Sequence, residues 1–529
     1  MRIFFLITLI FFCGENSFSQ QQFSVDIEEI SVPGFPGLHS GAHAELNGKW
    51  IFIGGRINGL HGFRTSDGFL PEGINNTIWV VDITSLNIYS YSADSLSADV
   101  REAITSSNMQ FYQDGNTLYM QGGYGWKESE QEFRTFPTLT AIDLPGLVNA
   151  VINNTAITSY FRQVTNEQLA ITGGHLQKLN NSYYLVFGHR FDGTYSHNTT
   201  GGFFVQTYSN AVRTFTINDN GINLSVSGFS ENTDTNNFHR RDYNLVPQIF
   251  PERQQGFTAF SGVFQRGINT PYFTTIDINS NGATLIPGFN QNLNQYHSAV
   301  VPLYDSLDNA MHSIFFGGMS MYRLDTVAQE LITDSMVPFI SSISKVSRFA
   351  DSSLAEYLLP INMPARLGSN AHFIPLPAIE KYANGVLKLN DLTGRTLVGH
   401  IVGGIESPED NISDTDPTLS VASDRIFEVY IEITPIGLTE FKVEEPATLL
   451  VYPNPADDVV QIEINAAEKQ NIELVLLNSR GVIVEKYLAA ASFSGSRKLT
   501  KNISALPVGL YYIALQTDKF SRAERLIVK

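Results

Sequence analysis

Lys49-Trp50-Ile51-Phe52-Ile53-Gly54-Gly55 is the stretch that decides the fold. Past Lys49 it is a run of aromatic and β-branched residues. It is too short for a helix and too continuous for a strand with one wet face, so it reads as a strand buried on both sides. The two glycines at its end let the backbone turn and come close to a neighbour with no Cβ in the way. Leu46-Asn47-Gly48 just before it is a hairpin turn, and Ile78-Trp79-Val80-Val81-Asp82 is the next strand after a polar loop.

Working outward, the same pattern returns five more times. The strands end at Gly122-Gly123, Gly188-His189, Ser261-Gly262, Gly317-Gly318 and Gly403-Gly404, and each is followed by a second apolar strand. Six such units in order resemble the Kelch repeat of β-propellers, over about residues 35–435. The resemblance implies about six radial blades, with seven as the alternative. The units are unevenly spaced and wider than the usual repeat of about 50 residues, and some lack one glycine. The long insertions are expected as loops on the propeller faces.

The texture changes beyond Pro435. Residues 436–448 read as a linker, and 449–529 as short strands with polar turns, a small Ig-like β-sandwich. Asn454-Pro455 opening a strand, Arg480-Gly481 at a turn, and Leu506-Pro507-x-Gly509-x-Tyr511 resemble the type A C-terminal sorting domain of the type IX secretion system in Bacteroidetes. That resemblance implies the secretion machinery as a partner and passage across the outer membrane. It also implies removal of the domain, with the cargo attached to the surface or released.

Export is expected independently. Arg2, the apolar run Ile3–Phe12 and the small-x-small site Ser17-Phe18-Ser19 make residues 1–19 a signal peptide, with 20–435 as the propeller. The run is too short to span a membrane, and no later segment is long and apolar enough. The alternative is a lipoprotein acylated at Cys13, but Phe12 stands where such signals need a small residue. Cys13 is the one cysteine of 529 residues, so disulfides, zinc–cysteine sites and cysteine nucleophiles are not expected after cleavage. A Kelch-type galactose-oxidase chemistry, which needs a cysteine–tyrosine crosslink, is excluded with them. The net charge of −18 with no basic run speaks against nucleic acid.

Polar residues flank the blade strands. Ahead of the inner strands lie His39, His43, Asn108, His175, Arg241, Asp242, His297 and His372; behind the glycines lie Trp126 and Arg190. In a radial arrangement equivalent positions form a ring around a central channel, a candidate polar pocket with Trp126 as a stacking surface. Such residues also serve to tie blades together. No His-x-His or His-Glu-x-x-His spacing, phosphate loop or Gly-x-Ser-x-Gly elbow is present, so no metal or cofactor is expected. Two functions fit. One is a surface module binding a glycan or protein partner. The other is a carbohydrate-active enzyme, an epimerase or mutarotase, lyase or hydrolase, with an acid–base pair in the channel.

Overall fold

The computed structural model describes residues 23–196, 203–267, 270–325, 330–412, 416, 419–433, 441–442, 447–478, 483–517 and 521–529. The leader 1–19 and most of the linker lie outside them.

Six blades, each built on four antiparallel strands, make up the propeller; two short strands extend blade five and one extends blade six. Blade one is Ala42–Leu46, Lys49–Ile53, Thr77–Asp82 and Asn87–Ser92, from the axis outward. Blades two to five have inner strands Gln110–Asp114, His175–Leu179, Asn244–Ile249 and Ala299–Asp305, followed by the glycine-ended strands of the repeats. Blade six is Arg366–Pro375, Arg395–Ser407 and Ile426–Ile433, and its outermost strand is Phe23–Ile30 from the start of the chain. Eight register pairs, Phe23↔Ile433 through Ile30↔Ile426, close the circle. The outward acidic residues of this strand meet arginines: Asp26 and Glu28 meet Arg395, and Glu29 meets Arg425.

The glycines do what the run at 49–55 requires. A Cβ on Gly54 would lie 2.1 Å from the Ile104 carbonyl oxygen, and one on Gly122 would lie 1.9 Å from that of Ile171. Both carbonyls belong to the chain entering the next blade, so the glycine is the point where two blades touch backbone to backbone. In blades three and four it is the first glycine that is replaced, by Phe187 and Ser261, both still in the left-handed region. Phe187 stacks on Phe238 at 5.0 Å, so a ring fills the space between blades instead. Gly122→Ala should cost at least about 3 kcal/mol, since neither backbone can yield. Gly115→Ala, whose Cβ would meet nothing within 4 Å, should cost only about 1–2 kcal/mol. Urea melts of the two variants check the contrast.

In the fourth repeat the third strand begins at Ile276, later than the sequence suggests at Tyr272. Buried Arg240 holds this stretch as a loop. It lies 4.1 Å from the Tyr272 ring centroid and donates to the Thr274 carbonyl and hydroxyl.

The C-terminal domain is one sheet folded into two layers, nearly closed into a barrel. Its two 20-residue strands, Val459–Asn478 and Ile483–Asn502, pair along their length and bend at several bulges, so each serves both layers. Ala447–Tyr452 flanks one half and Gly509–Thr517 the other, with Ser521–Val528 at the edge. Leu449, Ile462, Ile464, Leu474, Leu476, Ile513 and Leu526 fill the interior.

Candidate functional site

Alternating strand direction brings two kinds of connection to one face of the propeller: those entering the inner strands and those following the glycines. Each entry turns on one residue in the left-handed region: Ser40, Asn108, Gly173, Asp242, His297 and Asn370, with φ between +50° and +65°. Asn and Asp tolerate this conformation better than most residues. The turns are linked by main-chain bonds. Asn108 N–H donates to the Ser40 carbonyl, Gly173 to Asn108, Asp242 to Gly173 and Asn370 to His297. A belt of backbone in two arcs, Ser40 to Asp242 and His297 to Asn370, therefore lines the channel mouth, and the side chains next to it converge on the axis.

Eight of the ten residues picked from sequence line or adjoin this channel. The His43 and His372 rings lie 4.5 Å apart, with Phe111 against both. His175 lies 6.5 Å from His297 and puts Nε2 2.8 Å from the Tyr243 carbonyl oxygen. Arg241 pairs with Asp242 at 3.8 Å and faces the Phe264 ring. Asn108 sits in the belt itself. His39 stands beside the channel, bound to the Asn58 carbonyl and the Ser40 hydroxyl.

Burial sets the electrostatics. It pushes His39 and His372 down to about 3, and His175 and His297 to about 4. His43 is held well below its ordinary value by burial and by His372. All five are neutral near pH 7. Burial raises Asp242, with Arg241 opposing it. Among the described residues no group of three His, Cys, Asp or Glu is placed to hold a metal ion. Asn108 Oδ1, Asn370 Oδ1 and His43 Nδ1 are buried and meet no protein partner among the described residues.

Trp126 and Arg190 lie away from the channel. Both sit on small hairpins that follow the glycines, Tyr124–Lys127 with Glu132–Thr135, and His189–Gly193 with Phe204–Tyr208. Arg190 is engaged by Asp192 and Glu167. Trp126 donates from Nε1 to Glu128 and packs edge-on against Phe133. It lines a cleft of about 360 Å³ between blades one and two. Phe69, Tyr124 and Phe133 share its apolar wall; Arg56, Asn76, Asp94, Arg101, Glu102 and Glu128 supply its polar side. Sequence reading missed most of this cleft, because its residues come from three separate loops. The one available signal was Arg101-Glu102 in the short helix Ala98–Ile104, a charged pair in a chain only 16% charged.

In the C-terminal domain Asn454 clamps the last strand, accepting from Ile527 N–H and donating to the Arg525 carbonyl. The Tyr511 hydroxyl donates to the Pro507 carbonyl, and Gly509 faces Val528. Gly481 lies outside the described residues.

Residues 450–529 match the family model of the secretion system C-terminal sorting domain. No curated protein matches the chain. Among solved structures the chain is similar to YjhT, with TM-score 0.41 and 11% identity over 78% of this chain and 99% of that one. It is also similar to a fungal alcohol oxidase of the AA5 family in complex with copper, with TM-score 0.38 and 9% identity over 96% and 99%. The last domain is thus a type IX secretion sorting domain, and the chain is a six-bladed propeller protein addressed to the cell exterior.

Proposed function

We propose that the propeller is a glycan-binding module working at the outer surface or in the medium, and that its ligand seats in the cleft between blades one and two. The observation that carries this reading is Trp126, half-buried at a cleft wall of four aromatic rings that faces carboxylates and Arg101. Rings give sugar C–H faces a flat apolar support, and the polar side offers both donors and acceptors for hydroxyls. The volume falls within the roughly 300–1,000 Å³ common for small-molecule sites. Trp126→Ala should weaken binding about tenfold or more, near 1.4 kcal/mol. A glycan array followed by calorimetry on the full chain checks it. An empty array, with capture of a purified surface protein that Trp126→Ala leaves unchanged, would replace this reading with protein recognition.

The second reading, a carbohydrate-active enzyme, draws on Asp242, a buried carboxylate with a raised pKa close to His175 and Arg241. The channel histidines argue against it, since groups titrating near 3–4 are poor proton carriers at neutral pH. Turnover of an array hit that disappears in Asp242→Asn while affinity holds would favour the enzyme.

A further inference from the structure

The sorting domain is packed against the propeller as well as joined to it by the chain. It sits on the loop face, over blades four and five. The Tyr512 hydroxyl donates to the Arg266 carbonyl at 2.6 Å. Gly267 next to it has φ +86°, and a Cβ there would lie 2.5 Å from the Tyr512 oxygen. Blade four therefore offers a backbone notch that only glycine keeps open, and a largely buried tyrosine of the sorting domain fills it. Apolar burial continues beside the notch. Met321, Tyr322 and Val337 of blade five belong to one buried cluster with the sorting-domain interior, and Phe273 and Leu331 pack on that cluster. Charge agrees as well: burial raises the Asp234 carboxyl, but its own loop hydrogen bonds and, least of all, Arg525 of the sorting domain bring it below its ordinary value. The path between the domains is also held, for Phe441–Lys442 pairs with Tyr357 and Leu358 at the outer edge of blade five.

We infer that the sorting domain binds the propeller as a non-covalent partner, seated by Tyr512 in the Arg266–Gly267 notch, so that cutting the chain between them leaves the two associated and this part of the loop face covered. Domains joined only by a flexible connection move independently unless their contact is large and apolar. Here the contact shares the sorting domain's own hydrophobic cluster.

The test is a specific protease site inserted at 443–446 of the full chain, followed by cleavage and gel filtration at micromolar concentration. The two pieces are expected in one peak. Tyr512→Ala, and separately Gly267→Leu, should split them into two peaks, with far-UV circular dichroism showing each variant folded before cleavage. Hydrogen exchange at Phe273 and Tyr322 should rise in step with release. Wild-type pieces that separate at once would overturn the inference. So would Tyr512→Ala and Gly267→Leu pieces that stay together as wild type does. A dimer in the uncut chain that Tyr512→Ala turns into monomer would also overturn it.

Discussion

Between pH 6.5 and about 4 the folded protein should lose several kcal/mol of stability, well before most carboxylates titrate. His39, His43, His175, His297 and His372 are buried around the channel; in the folded chain His39 and His372 titrate at about 3, His175 and His297 at about 4, and His43 is held well below its ordinary value by burial and by His372. Unfolded, each titrates near 6.5. Above that value both states are neutral, and the histidines place no pH dependence on folding. As pH falls through 6.5 the unfolded chain takes up protons that the folded chain refuses, so stability drops until the folded pKa values are reached. His39, His175, His297 and His372 each account for up to about 3 kcal/mol across that window, and His43 adds in the same sense. The neighbours work unequally. Asp242, raised by burial, acts in the opposite sense, but it is one group against five. Arg56 and Arg241 stay charged throughout and add repulsion to any proton that enters, Arg56 toward His39 and both toward His61, which stacks on Phe69. Urea unfolding at pH 7.5, 6.0 and 5.0 should show a steep slope, and His372→Gln should reduce it by about 1.4 kcal/mol per pH unit, the value of one proton. A flat profile between pH 7 and 5 would mean these histidines are hydrated and protonated in the native state.

Loss of the closing strand should be the most damaging local change. Among the described residues Phe23–Ile30 is the only strand that joins the early part of the chain to the last blade, and without it Ile426–Ile433 becomes an open edge. Phe23 also reaches beyond its own blade, 5.2 Å edge-on from His312 and beneath Lys345 of blade five. Phe23→Ala should cost about 3–5 kcal/mol, as for other large core truncations. Deleting residues 23–30 should expose the amides of 426–433 to exchange and promote self-association through that edge. Hydrogen exchange by mass spectrometry, read strand by strand, separates this from a uniform loss of stability. Unchanged protection at 426–433 after deletion would sink the closure argument.

Much of the architecture could be read from the chain alone, because its cause is local. A doubly buried strand must be a continuous apolar run, and a strand end that touches the next blade's backbone needs glycine, so Ile51–Gly55 and its five relatives show themselves at short range. The Asn454 and Tyr511 signatures were equally visible, since each stabilises its own domain's turns. The ring of polar residues ahead of the inner strands could be expected from the repeat alone.

What those residues do once together depended on distance in space. His43 and His372 face each other across 329 sequence positions, so their shared burial, and with it their neutrality, has no local signal. The same holds for the cleft assembled from three loops around Trp126, for Phe23 under Lys345, and for Tyr512 in a notch belonging to another domain. Sequence by itself determined the strands, their glycine ends and the sorting tail, because hydrophobic period and backbone conformation act over a few residues. Tertiary structure alone decided which strand closes the circle, which polar groups lose their water and where a cleft remains, because pairing, desolvation and packing act between segments that the chain order keeps apart.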